Sequence, residues 1–213
     1  MSEPHLIYFA DPMYSWCWGF SPTIEAVAAR FGAALPIRLT LGGLRPGTTK
    51  PMGERDRDEV RNHWEHVREP SGQPFDFDFF KRERFVYDTE PASRAVVVMR
   101  RRGADAGLAA LKRLQCAFYA ENRDVTDAGE LAALAAEIGF DPAAFRGDFD
   151  APEAAEETRG DFAFSQAVGV RGFPTLIAGS GRDNRYGLVA SGYQAPQTIV
   201  AALERWMQAG CEV

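Results

Sequence analysis

A chain of 213 residues, 46% hydrophobic and 25% charged, is long enough to bury one sizeable core and has the composition of an ordinary globular protein. Its net charge of −6 argues against a general nucleic-acid binder, which would need a basic face, and no run reaches membrane-spanning length. Three widely spaced cysteines, Cys17, Cys116 and Cys211, imply no disulfide framework and suit a reducing compartment.

His5 to Ala10 is a nearly continuous apolar run bounded by Asp11-Pro12, the pattern of a central buried strand. Met1-Ser2-Glu3-Pro4 has no basic segment and the apolar run is too short for a signal peptide, so a cytoplasmic location is expected. A helical pattern follows from Ser15, with Ile24, Val27, Ala28 and Phe31 at helical spacing, a kink expected at Ser21-Pro22 and a stop at Gly32. Leu35 to Leu41 alternates as a strand with one polar face, which completes a βαβ unit with parallel strands. Gly42 to Gly47 is then a loop at the sheet's edge.

From about residue 54 to 168 the strand signal disappears. Helices are expected over 54–69 around Val60, Trp64 and Val67; from Thr89 or Glu90 to Arg102; over 105–122; from a Thr126 cap to Gly139; from the Asp141-Pro142 cap; and over 152–168. Phe75, Phe77, Phe79 and Phe80 form an aromatic cluster that fits either a short helix or an irregular lid. Arg100-Arg101-Arg102 is expected to be a solvated last turn, where cations complement the helix dipole. Strands resume at 175–178 and 186–190 around a turn at Gly179-Ser180-Gly181, and an amphipathic helix closes the chain over 196–208.

The chemistry is expected at Asp11-Pro12-Met13-Tyr14-Ser15-Trp16-Cys17-Trp18-Gly19-Phe20, where a strand feeds a helix. Unpaired amides and the positive dipole end of the helix stabilise an anion there. With one change the stretch would read Cys-x-x-Cys, but its first position is Tyr14.

Together with Gly169-Val170-Arg171-Gly172-Phe173-Pro174-Thr175, this stretch resembles the DsbA-like branch of the thioredoxin superfamily, in particular bacterial proteins described as predicted disulfide isomerases. The resemblance implies an α/β thioredoxin fold with a large helical insertion between the second strand and the cis-proline strand. Residues 1–53 and 169–213 would form the thioredoxin-like domain and 54–168 an inserted helical subdomain. It also implies a cis bond at Phe173-Pro174, a substrate loop that pairs with an extended peptide or glutathione, and a thiol or disulfide partner.

Tyr14 falls on the family's attacking cysteine, and Cys17 on the resolving one. Dithiol cycling is therefore not expected, and residual activity would be monothiol through Cys17 with glutathione as co-substrate. Cys17 fits equally a reactive thiol and a small buried residue. Tyr14 either plugs the vacated position or donates a hydrogen bond to a bound thiolate. The kappa-class glutathione transferases and hydroxychromene-carboxylate isomerases resemble the second arrangement, with a serine hydroxyl there. A non-catalytic peptide-binding module is the third reading. Trp16, Trp18, Phe20 and Phe173 would rim the groove, with at least one tryptophan in the core.

Cys116, on a helix with Leu111, Leu114 and Phe118, is expected to be buried, and Cys211 exposed. His63 and His66 lie at i, i+3 without a third ligand, so a solvated helix face is expected and no metal.

Overall fold

The computed structural model describes residues 3–181 and 185–211. Strand β1 (His5–Ala10) is buried along its whole length, as its unbroken apolar run requires. It pairs in parallel with β2 (Ile37–Leu41) and antiparallel with β3 (Thr175–Gly179), which pairs in turn with β4 (Tyr186–Ser191). The strand order is β2-β1-β3-β4. Helix α1 (Ser15–Phe31) follows β1, and α8 (Pro196–Gln208) closes the chain and packs against α1.

Six helices lie between β2 and β3: α2 (Glu54–Ser71), α3 (Glu90–Arg100), α4 (Ala104–Tyr119), α5 (Ala128–Glu137), α6 (Pro142–Asp150) and α7 (Pro152–Ala167). The architecture is a thioredoxin fold with a helical insertion, as its element order implied. Buried side chains of the sheet and of the inserted helices form one connected core. The aromatic cluster is a short 3₁₀ turn, Phe77–Lys81, whose rings surround the fully buried Trp64 at centroid distances of 4.9 to 6.0 Å.

Helix α1 runs through Pro22. Proline cannot donate to the carbonyl four residues earlier, that of Trp18. The side-chain amide of Gln73 donates to that carbonyl instead, at 3.1 Å.

Four expectations are corrected. The arginine run is not simply solvated: Arg100 Nη1 donates to the Leu39 carbonyl (2.7 Å) and to Asp161 Oδ2 (2.6 Å), which also accepts from the Leu41 amide (2.8 Å). The two side chains thus satisfy the open edge of β2, which would otherwise offer unpaired backbone groups. Arg101 pairs with Glu157, and Arg102 donates to the Gly139 carbonyl.

The cap of α5 is Asp127, whose carboxylate accepts from the Glu130 amide (2.8 Å); Thr126 bonds Asp124 instead. Cys211 is buried, because the chain turns back over the end of α8 and its amide donates to the Trp206 carbonyl. Cys116 is only half-buried, its thiol 3.4 Å from Glu121 Oε1.

Candidate functional site

The turn between β1 and α1 is built on Asp11. Its wholly buried carboxylate accepts from the Met13 amide (2.9 Å) and, across the fold, from the Leu44 amide (2.7 Å). One side chain thereby fixes both the start of α1 and the loop after β2. Burial pushes its carboxyl up to about 6, although both amides pull the other way. The Tyr87 hydroxyl donates to the Met13 carbonyl (2.5 Å) and completes the cradle.

Tyr14 is the N-cap of α1, in an extended conformation, and its carbonyl accepts from the Cys17 amide (2.9 Å). Its ring is half-buried and meets Phe173 edge to face at 6.3 Å. The Phe173–Pro174 peptide is cis. Phe173 lies directly on Gly42 at the end of β2, where a Cβ would come within 1.9 Å of its ring, so only glycine leaves room. Pro174 accepts through its carbonyl from the Gly192 amide (2.8 Å). Tyr14 and the Pro174 turn therefore face each other, as the two motifs required.

Cys17 stands one turn into the helix and is 0% exposed. Burial drives its thiol far above the ordinary range, opposed only in part by the Asp11 backbone amide and the nearby Tyr8 hydroxyl, and the Asp11 charge adds to the rise. The buried Tyr8 hydroxyl lies near the sulfur but makes no hydrogen bond of good geometry. A sulfur so enclosed is costly to ionise. The Tyr14 phenol is raised from its usual value, by burial and then by Cys17, so it remains protonated and can donate.

Helical phase divides the aromatic residues. Trp18 and Phe20 point into the core, Trp18 donating to the Pro74 carbonyl (3.0 Å) and stacking on Tyr119. Trp16 remains half-buried against Tyr193 at 5.8 Å and Phe173 half-buried against Tyr14, so of the four aromatic residues only these two keep an accessible face.

Beside Tyr14 a cleft of 230 Å³ is lined by Met13, Tyr14, Ser15, Arg45, His63 and Tyr87, among others. The Arg45 guanidinium sits 5.3 Å from the centre of the Tyr87 ring. Sequence reasoning missed Arg45, Tyr87 and Asp11. The position of Arg45 in the loop directly after β2 was the available signal for the first. His63 faces this cleft, whereas His66 bonds the Asn62 carbonyl (2.7 Å). Among the described residues no three His, Cys, Asp or Glu side chains gather to hold a metal ion, and no helix is long and apolar enough to cross a membrane.

A family model of the DSBA-like thioredoxin domain matches residues 5–204. The chain belongs to this family. It is similar over 97% of its length to a Nitrosomonas europaea structure provisionally described as a protein disulfide isomerase, with 34% identity, a TM-score of 0.88 and 98% of that chain covered. It is also similar to the cytosolic disulfide reductase DsbM from Pseudomonas aeruginosa, with 30% identity, a TM-score of 0.80, and coverage of 96% of this chain and 99% of that one. The same reductase has been solved with glutathione. A curated relative, the ClpXP adapter protein SpxH of Halalkalibacterium halodurans, is 25% identical over 207 residues, which is 95% of this chain and 67% of the relative.

Proposed function

We propose that this DsbA-like protein binds glutathione or a similar small thiol at the N-terminus of α1, and that the Tyr14 hydroxyl holds the thiolate in the family's cysteine position. The observation that carries this reading is the contrast between the two positions of the motif. The Cys17 sulfur is completely enclosed and costly to ionise, whereas Tyr14 offers a protonated donor at the mouth of a cleft. Cys116 and Cys211 are free, so the chain's own sulfurs supply no assembled dithiol.

The proposed chemistry is activation of a bound thiol. The thiol gives its proton to solvent, and its anion accepts from the Tyr14 phenol while the helix dipole favours the charge. The carboxylates of glutathione suit Arg45 in the same cleft, and the Phe173 peptide, beside the Pro174 turn, suits strand-like pairing with its backbone. Tyr14, Phe173, Pro174 and Trp16 form the binding set, and Cys17 supports the helix from beneath. The DsbM structure with glutathione supports the choice of ligand, and the description of DsbM as cytosolic supports a cytoplasmic setting.

A second reading, a non-catalytic binding module, is favoured by the SpxH relative, an adapter protein. Calorimetry separates the two. Glutathione binding that weakens about tenfold in Tyr14→Phe and persists in Cys17→Ser supports the first reading. No heat at millimolar glutathione, with peptide binding retained, supports the second.

A further inference from the structure

The cleft beside Tyr14 holds a second hydroxyl. Ser15, the first residue of α1, lines the cleft and is only 6% exposed. Among the described residues its hydroxyl has no hydrogen-bond partner, and nothing accepts from the Ser15 and Trp16 backbone amides, the first two of the helix. The next two amides are satisfied: those of Cys17 and Trp18 both donate to the Tyr14 carbonyl, at 2.9 and 3.3 Å. The Ser15 oxygen is still reachable, because it is not among the fully enclosed unpaired polar atoms of the core. A hydroxyl more than nine-tenths buried beside a cleft, without a partner in the fold, calls for an acceptor supplied from outside.

The same cleft holds Arg45, in the loop after β2. Its amide donates to the Thr89 hydroxyl oxygen (3.0 Å) and its carbonyl accepts from the Thr48 hydroxyl (3.0 Å), which fixes its backbone. The guanidinium lies over the Tyr87 ring and forms no ion pair among the described residues. No other Lys or Arg lines the cleft, and no Asp or Glu does; His63 lines it but is exposed to solvent. One permanent cation and one idle hydroxyl fit a single carboxylate, which accepts two bonds from a guanidinium and has lone pairs left for a serine. A phosphate dianion would bring a second charge with no second buried cation to meet it. An α-amino acid group would set its ammonium beside Arg45, with no carboxylate in the wall to receive it. At 230 Å³ the cleft is smaller than the ~300–1,000 Å³ that encloses a whole drug-sized ligand, so it takes one end of the compound.

We propose that Ser15 is a specificity-determining residue of the thiol site, an inference that rests on the thiol-binding function proposed for this cleft. With Arg45 it holds a carboxylate at the end of the ligand remote from sulfur. The ligand class is then a short thiol peptide with a free terminal carboxylate, rather than an uncharged thiol or one that carries phosphate. In glutathione this carboxylate is that of glycine, since the glutamyl one travels with an ammonium.

Calorimetry on the full chain compares glutathione, its glycine ethyl ester, the thiol-free tripeptide γ-glutamyl-alanyl-glycine, and 4′-phosphopantetheine. Ser15→Ala should weaken glutathione about tenfold, the loss that one hydrogen bond to a charged group gives. It should weaken the tripeptide by the same factor and leave the ester, already weaker than glutathione on the wild type, unchanged. Bound glutathione should ionise in Ser15→Ala as it does on the wild type, because the contact is remote from sulfur, and phosphopantetheine should bind less tightly than glutathione. Unchanged glutathione affinity in Ser15→Ala, an equal loss for the ester, a shift in thiol ionisation in place of a loss of affinity, or tighter binding of phosphopantetheine would each overturn the assignment. The role of Tyr14 is read separately: a tripeptide affinity that depends on Ser15, with bound glutathione that ionises like the free thiol, removes the thiolate contact and keeps the carboxylate one. No heat from any of the four at millimolar concentration would remove both.

Discussion

Asp11 holds the β1–α1 turn to the loop after β2, and its carboxyl gives the architecture a definite pH signature. Burial raises it from 3.8 to about 6 in the folded chain, against the pull of the Leu44 and Met13 amides. At 1.36 kcal/mol per unit, this gap of about two units amounts to about 3 kcal/mol. The native state holds this proton more tightly than the unfolded chain does. The contribution is therefore fully present below about pH 4, falls as pH rises toward 6, and stays lost above it. Asp11→Asn removes the titration and keeps one acceptor oxygen. It leaves either the Leu44 or the Met13 amide unpaired, at a cost of about 1–3 kcal/mol at every pH. Glu121 and Glu137, held low by arginines, give the opposite slope, so the quantity to read is the wild-type stability minus that of the variant. Urea unfolding followed by tryptophan fluorescence should show this difference shrinking by about 2 kcal/mol between pH 4 and pH 7. A difference that is flat, or that grows with pH, would mean that the amides win over burial and would refute the reasoning.

Gly42→Ala forces the Phe173 ring off its seat and should cost about 1–3 kcal/mol in urea while weakening glutathione binding in calorimetry; unchanged values would show that the ring does not depend on that contact. Gln73→Ala strands the Trp18 carbonyl that Pro22 cannot serve, with an expected loss of about 1–3 kcal/mol by thermal unfolding. In the double variant with Pro22→Ala, which restores the helical donor, much of that loss should disappear. Tyr14→Cys rebuilds a Cys-x-x-Cys motif and should gain insulin-reducing activity that the wild type lacks; equal activity in the two proteins would show that the missing thiol was never needed.

Much of the fold was legible because its signals are local. The unbroken apolar run of β1, the proline-marked starts of α6, α7 and α8, and the Phe-Pro turn each depend on a few adjacent residues. What escaped was partner choice across the chain. The three arginines after Met99 look solvated until Asp161 and the edge of β2, both some sixty residues away, are brought to Arg100. Pro22 announced an orphaned carbonyl at Trp18, but nothing local pointed to Gln73 as its partner. At the site, the two motifs located Tyr14 and Phe173 together. The enclosure of Cys17 was not readable, since helix phase alone does not show how deeply the first turn sinks. Asp11 passed as a strand boundary because its second amide, that of Leu44, comes from a distant loop.

The central claim is that a phenol stabilises a bound thiolate where a cysteine would normally react, and the ionisation of bound glutathione tests it most directly. Ultraviolet titration of the thiolate on the wild-type protein should place the bound thiol about one to two units below a free thiol of ~8.5, as a hydrogen bond to a charged group provides. That shift should be largely lost in Tyr14→Phe. Bound glutathione that ionises like free glutathione, or a shift that survives in Tyr14→Phe, would contradict the account.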